Sequence, residues 1–124
     1  MRLRPETIGD YHAVFATVLS CAPDHFDPIG DEVLDQTTAL REAFEDLHDG
    51  LRFARMKIKD GRKLLVVREL IEMSHEAYVA GNSETGGAVL REAEGMIWTE
   101  RAVAVRYAAE AERRAFGSSF SGPT

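Results

Sequence analysis

A repeat of apolar residues every three to four positions constrains the fold of this chain more than any other feature. Eight positions from Val33 onward alternate between spacings of four and three residues, and seven of them are apolar: Val33, Thr37, Leu40, Phe44, Leu47, Leu51, Ala54 and Ile58. Such spacing places these side chains along one side of an α-helix, where they pack against neighbouring helices. It predicts a long second helix over residues 31–59, capped by Asp31 and about 44 Å long at ~1.5 Å per residue.

Gly50 lies inside this repeat and leaves a second interpretation open. Glycine in the interior of a helix costs ~1 kcal/mol relative to alanine. Because the apolar repeat keeps its phase across Gly50, we expect one continuous helix that bends there. A break at Asp49–Gly50 is the alternative.

Capping residues and apolar periodicity predict the remaining helices. The first begins at Thr7, where Asp10 three residues later forms a partial capping box. The third is expected to be capped by Asp60 and to stop at Gly81-Asn82, since both of those last two residues tolerate positive φ. Ser83 is expected to cap a fourth helix, and an alanine-rich fifth segment spans residues 100–116.

No segment of useful length alternates between apolar and polar residues and is flanked by turn residues, so no strand is predicted. The expected fold is an all-α, antiparallel bundle of four to five helices with one long second helix. We expect a single helical domain over residues 1–117 and a disordered C-terminal tail over residues 118–124.

Cysteine content and hydropathy indicate the cellular compartment in which the protein is expected. Among 124 residues Cys21 is the one cysteine, so no internal disulfide forms, and we expect it to be a buried apolar residue rather than a nucleophile. No apolar run approaches the roughly 20 residues of a membrane span, and the N-terminus lacks the pattern of a signal peptide. We therefore expect a soluble, cytoplasmic protein without a membrane partner.

Charge is divided between two adjacent blocks, although the whole chain carries a net charge of −6. From Asp24 to Asp49 nine acids stand against Arg41, a net of −8. From Arg52 to Arg68 seven bases stand against Asp60, a net of +6. The acidic block favours a basic partner. We do not expect nucleic acid as a partner, because the chain as a whole is acidic and only Phe53 interleaves with the basic block.

Two Glu-x-x-His motifs, Glu45/His48 and Glu72/His75, supply the sharpest candidate for metal chemistry. Two such motifs on facing helices of a bundle, with further glutamates, form di-iron carboxylate sites. Helical periodicity places these residues beside or outside the core, so we expect them to point to solvent and to hold no metal. A metal-binding protein or metalloenzyme remains the alternative function.

No motif in the chain supports another catalytic mechanism. Phosphate-binding glycine loops are absent. Asp24-His25-x-Asp27 has short acid–base spacing, but no nucleophile accompanies it, and its Pro-flanked setting is typical of a turn. We expect no enzymatic activity and no cofactor.

The acidic block therefore carries the functional hypothesis. Five acids of the second helix are predicted to meet a basic protein: Asp35, Glu42, Glu45, Asp46 and Asp49. In size, acidity and lack of catalytic motifs the chain resembles the small acidic helical immunity proteins and antitoxins of bacteria. That resemblance implies that it neutralises a basic toxin or effector, and charge reversal at Glu42 and Asp46 should then slow association. A self-associating structural bundle, hence a homo-oligomer, is a further alternative.

Overall fold

The computed structural model of the protein describes residues 5–24, 26, 35–98 and 106–117. These residues form six α-helices and no strand, which confirms the predicted all-α bundle. The helices are α1 (Ile8–Cys21), α2 (Gln36–Asp49), α3 (Leu51–Ala54), α4 (Gly61–Val79), α5 (Ser83–Trp98) and α6 (Ala108–Glu112), with a π-helical turn at Arg113–Gly117.

Helix α4 lies at the centre of the fold. It packs against α2, α5 and α6, while α1 packs against α2 and α5. Helices α4 and α5 form a tight hairpin, in which Gly81 turns the chain with φ of +85° and the Ser74 hydroxyl donates to the Gly86 carbonyl at 2.7 Å. A Cβ atom on Gly86 would lie 2.8 Å from the Tyr78 ring, so glycine is required for this approach.

Two predicted helix caps are confirmed. The Thr7 hydroxyl accepts from the backbone N–H of Asp10, and the Asp60 side chain accepts from that of Arg62. The predicted cap of the fourth helix is wrong by one residue, because the Asn82 side chain accepts from the Thr85 N–H at 3.3 Å. Side chains that cap in this way satisfy N–H groups that have no partner inside the helix.

The prediction of one long second helix is wrong, because α2 ends at Asp49. The chain instead breaks at Gly50, as the alternative interpretation had it. Helix α2 has 14 residues, and α4, with 19, is the longest in the described part of the chain. Asp35 caps α2, whereas Asp31 and Val33 lie outside the described residues. The apolar repeat still predicted the core correctly at most positions: Leu40, Phe44, Leu47, Ala54 and Ile58 are buried.

Tyr11 on α1 accounts for the break at Gly50. Its hydroxyl donates to the Leu47 carbonyl at 2.6 Å, the atom that the Leu51 N–H would bond in a continuous α-helix. Its ring lies so close to Gly50 that a Cβ atom there would be 2.1 Å from Tyr11 Cδ1. The chain then resumes as α3, in which the Phe53 N–H donates to the Gly50 carbonyl three residues earlier.

The predicted fifth helix over residues 100–116 is also corrected. The chain bends at Arg106 and Tyr107, and α6 begins only at Ala108. Glu92 on α5 directs this start, because its carboxylate accepts the backbone N–H groups of Arg106, Tyr107 and Ala108 at distances between 2.7 and 3.0 Å. Residues 99–105 and the predicted tail, 118–124, lie outside the described residues.

Candidate functional site

Four of the five acids predicted to bind a partner form one line along α2, which we name the acidic stripe: Asp35, Glu42, Glu45 and Asp49. Their spacings of seven, three and four residues place them on the same side of the helix. The stripe is about 21 Å long at ~1.5 Å per residue. Asp35, Glu45 and Asp49 are exposed and Glu42 is half-buried.

Asp35 and Glu45 make polar contacts with neighbouring residues of α2. Asp35 accepts from the Thr38 hydroxyl at 2.6 Å and from the Thr37 backbone N–H at 3.3 Å. The hydrogen bond from Thr38, aided by the bond from Thr37, lowers the pKa of Asp35, so this carboxylate stays charged around neutral pH. Glu45 Oε2 lies 3.8 Å from Nε of Arg41, an exposed pair that holds Arg41 beside the stripe.

The prediction that Asp46 contributes to the partner-binding surface is wrong, because Asp46 is buried. Its exposed fraction is 1%. It follows buried Ala39 and Ala43 at helical spacing, on the inward side of α2. Lysine at position 46 would bury a charge and disturb folding, so charge reversal there cannot report on binding.

The two Glu-x-x-His motifs meet across the interface of α2 and α4. His48 Nε2 lies 3.1 Å from Glu72 Oε2, and the His75 ring stacks on Phe44 with 4.5 Å between ring centroids and 7° between planes. Both imidazoles are half-buried, which corrects the expectation that they point to solvent. The two helices run antiparallel, so residues 44 and 48 lie opposite 75 and 72.

This pairing does not gather the ligands that a metal site needs. Glu45, the fourth member of the motifs, is exposed and lies beside Arg41. Among the residues that the structure describes, no group of three or more histidine, cysteine, aspartate or glutamate side chains could hold a metal ion. The imidazole of His48 pairs with the carboxylate of Glu72, and the imidazole of His75 stacks on the phenyl ring of Phe44.

Burial of the two imidazoles affects their protonation. Desolvation lowers the pKa of His48 below its usual 6.5, and the neighbouring carboxylate of Glu72 acts in the opposite direction. Desolvation likewise lowers the pKa of His75, again opposed by Glu72. Both imidazoles are therefore neutral in the folded protein at pH values where the unfolded chain has begun to take up protons.

This difference predicts that mild acid weakens the fold. The folded state is stabilised by keeping His48 and His75 neutral. This stabilisation is fully present above 6.5, the pKa of histidine in the unfolded chain, and is lost as the pH falls towards the lower pKa values of the two residues in the folded protein. Urea unfolding should therefore give a lower free energy of unfolding at about pH 5.5 than at about pH 7.5.

A variant carrying His48→Gln and His75→Phe should lose less stability over the same pH range. His12→Gln serves as the control, because His12 is exposed and lies outside this interface. An equal loss in the wild type and the double variant would contradict the assignment of the effect to these two imidazoles.

All seven bases of the block Arg52–Arg68 are exposed, and several surround one groove. The groove, which we name the α3–α4 groove, has a volume of about 430 Å³. Leu51, Leu64 and Leu65 form its apolar part, and its remaining lining residues are His48, Asp49, Arg52, Arg55 and Arg68. A second depression of about 450 Å³ continues it and adds Ile58, Lys59 and Gly61.

Other polar residues of the sequence contribute to structure rather than to this surface. The Arg114 guanidinium donates to both carboxylate oxygens of Glu76, at 2.8 and 2.6 Å, and its Nε lies 3.3 Å from Glu69. These contacts fasten the π-helical turn onto α4. Cys21 is half-buried and packs against the core. Of the Asp24-His25-x-Asp27 motif, His25 and Asp27 lie outside the described residues.

Within the described part of the chain, no helix is both long and apolar enough to cross a membrane. No family model matches the chain, and neither the curated proteins nor the solved structures contain a match to it.

Proposed function

We propose that the protein is a non-enzymatic binding module whose acidic stripe docks a basic protein. The observation that carries this proposal is the alignment of four carboxylates along about 21 Å of one helix at ~1.5 Å per residue. Three of these residues are exposed and one is half-buried. A partner can therefore approach them along a single line.

The packing of α2 supports this role. Leu40, Phe44 and Leu47 are buried on the opposite flank of the helix and fix its orientation in the bundle. The stripe is consequently held on a rigid element, so little ordering is needed when a partner binds. Aligned charges of one sign raise the rate of encounter with an oppositely charged surface and disfavour acidic competitors.

The general character of the chain suggests the class of partner. Small size, net negative charge and a helical fold are shared with the acidic immunity proteins and antitoxins of bacteria. We therefore propose a basic toxin or effector as the partner and the cytoplasm as the place of the encounter. The stripe would act by covering a basic surface that the partner needs for its own activity.

The proposal is tested by capture from an extract of the native host at low salt, with three versions of the protein as bait. The wild type should retain a basic protein that elutes with salt. The stripe variant, Glu42→Lys with Glu45→Lys, should retain at least about tenfold less of it. The matched control, Glu84→Lys with Glu110→Lys, makes the same change in net charge on α5 and α6 and should retain as much as the wild type.

Two results would overturn the proposal. One is recovery of the bait alone by the wild type. The other is equal capture by the wild type and the stripe variant, because the partner would then bind elsewhere. Circular dichroism of all three versions verifies that each is folded.

A further inference from the structure

A second surface, opposite in charge to the acidic stripe, surrounds the α3–α4 groove. Three large apolar side chains of the described residues are strongly exposed, and two of them lie at this end of the molecule: Met56 is 62% exposed and Leu65 is 42% exposed. Met56 is in the turn that links α3 to α4, between Arg55 and Lys57. Exposed apolar side chains grouped beside charged ones are characteristic of interaction surfaces.

The groove combines the two kinds of contact that an amphipathic segment makes. Leu51, Leu64 and Leu65 offer an aliphatic surface. Arg52, Arg55 and Arg68 line the same groove, and Lys59 lines its continuation. An occupant that satisfies both must present apolar side chains towards the leucines and carboxylates towards the cations.

The shape and composition of the groove distinguish among anionic occupants. Nucleic acid would engage the cations, but this lining contains no phenylalanine, tyrosine or tryptophan on which bases could stack. Its aromatic ring, the imidazole of His48, is half-buried beside Glu72. A small amphiphile is best held in an enclosed cavity, whereas Leu65 leaves this groove open to solvent. A helix of a partner protein lies naturally along an open apolar groove and anchors at positions spaced by three and four residues.

We propose that the α3–α4 groove docks an acidic amphipathic helix of a partner protein. The leucines receive the apolar anchors of that helix, while Arg52, Arg55 and Arg68 pair with its carboxylates. Asp49, at the α2 end of the groove, repels acidic residues there and so orients the bound helix. This surface adjoins the acidic stripe at Asp49, which belongs to both, but its proposed role does not depend on the function proposed for the stripe.

The test uses a fluorescent synthetic peptide with leucines on one helical face and glutamates on the other, titrated with the full chain in low salt. A peptide of the same composition in scrambled order is the comparison. We expect fluorescence anisotropy to show that the amphipathic peptide binds at least about tenfold more tightly than the scrambled one. Equal binding of both peptides would overturn the proposal, since only charge would then be recognised.

Variants of the protein locate the binding. Arg55→Glu with Arg68→Glu should weaken binding of the amphipathic peptide by about tenfold or more. Leu65→Gln should also weaken it, although the net charge is unchanged. The matched control, Arg91→Glu with Arg113→Glu, makes the same change in charge outside the groove and should bind the peptide much more tightly than the groove variant.

Two further probes distinguish other anionic ligands. A single-stranded oligonucleotide and vesicles of anionic lipid are each titrated against the same protein. Tighter binding of either probe than of the amphipathic peptide would overturn the proposal. Weaker binding of both, with loss of peptide binding in the Leu65→Gln variant, would support it.

Discussion

Replacing Gly50 with alanine is expected to lower the free energy of unfolding by about 3 kcal/mol. The new Cβ atom would lie 2.1 Å from Cδ1 and 2.3 Å from Cε1 of Tyr11, far inside van der Waals contact. Tyr11 is fully buried, and its hydroxyl is bonded to the Leu47 carbonyl, so its ring cannot turn away without losing that bond. The clash is therefore relieved only by separating α1 from α2, which opens the core.

Urea unfolding of the Gly50→Ala variant measures this loss. Gly61→Ala is the control, because nothing lies within 4 Å of a Cβ atom at that position, and its stability should be equal to or slightly above that of the wild type. Combining Gly50→Ala with Tyr11→Leu should destabilise by less than the sum of the single effects, since the smaller side chain relieves the clash. Wild-type stability in the Gly50→Ala variant would contradict the contact between α1 and the end of α2.

The second large effect is expected at Glu92, which we predict to lose about 2–3 kcal/mol of stability when replaced by alanine. Its side chain is only 5% exposed and accepts backbone N–H groups of three successive residues, 106 to 108. Alanine would leave these donors at the start of α6 without their acceptor. Glutamine keeps one acceptor oxygen, so Glu92→Gln should lose roughly half as much.

Two measurements test this prediction. Chemical unfolding gives the loss of stability, and hydrogen exchange should show faster exchange of the amides at residues 106 to 108. Glu94→Ala is the control on the same helix, because Glu94 contacts exposed His12 at 3.3 Å, and it should cost less than about 1 kcal/mol. Equal behaviour of the two alanine variants would show that Glu92 does not hold the start of α6.

Local patterns in the sequence predict the helices well, because helix starts and buried faces depend on residues a few positions apart. Thr7 and Asp60 cap the helices that they were expected to cap. The apolar repeat from Leu40 to Ile58 lies mainly in the core even though the helix breaks within it. The phase of the repeat survives because the Gly50 backbone keeps a right-handed helical conformation, with φ of −73° and ψ of −7°.

Contacts between distant residues account for what the sequence did not predict. The break at Gly50 depends on Tyr11, which is far away in the chain, and the start of α6 depends on Glu92 of the preceding helix. No spacing rule signals either contact. The same holds for the meeting of His48 with Glu72, which follows from the antiparallel packing of α2 and α4.

The candidate site was predicted in part. Helical spacing places Asp35, Glu42, Glu45 and Asp49 on one side of α2. Glu42 is half-buried, and the other three are exposed. Asp46 is next to Glu45 in sequence, yet it is buried, because the inward side of α2 is wider than the apolar repeat alone indicates. The α3–α4 groove was not predicted, since it forms only where the turn after α3 brings Arg55 beside Leu64 and Leu65.

The most direct test of the proposed function is the association rate constant between the protein and the basic partner that it captures, measured by stopped-flow over a range of salt concentrations. For the wild type we expect a rate constant that falls steeply as salt rises, since screening weakens the attraction. For the Glu42→Lys, Glu45→Lys variant we expect a lower rate constant with a shallower dependence on salt. Identical rate constants and identical salt dependence for the two proteins would contradict recognition through the acidic stripe.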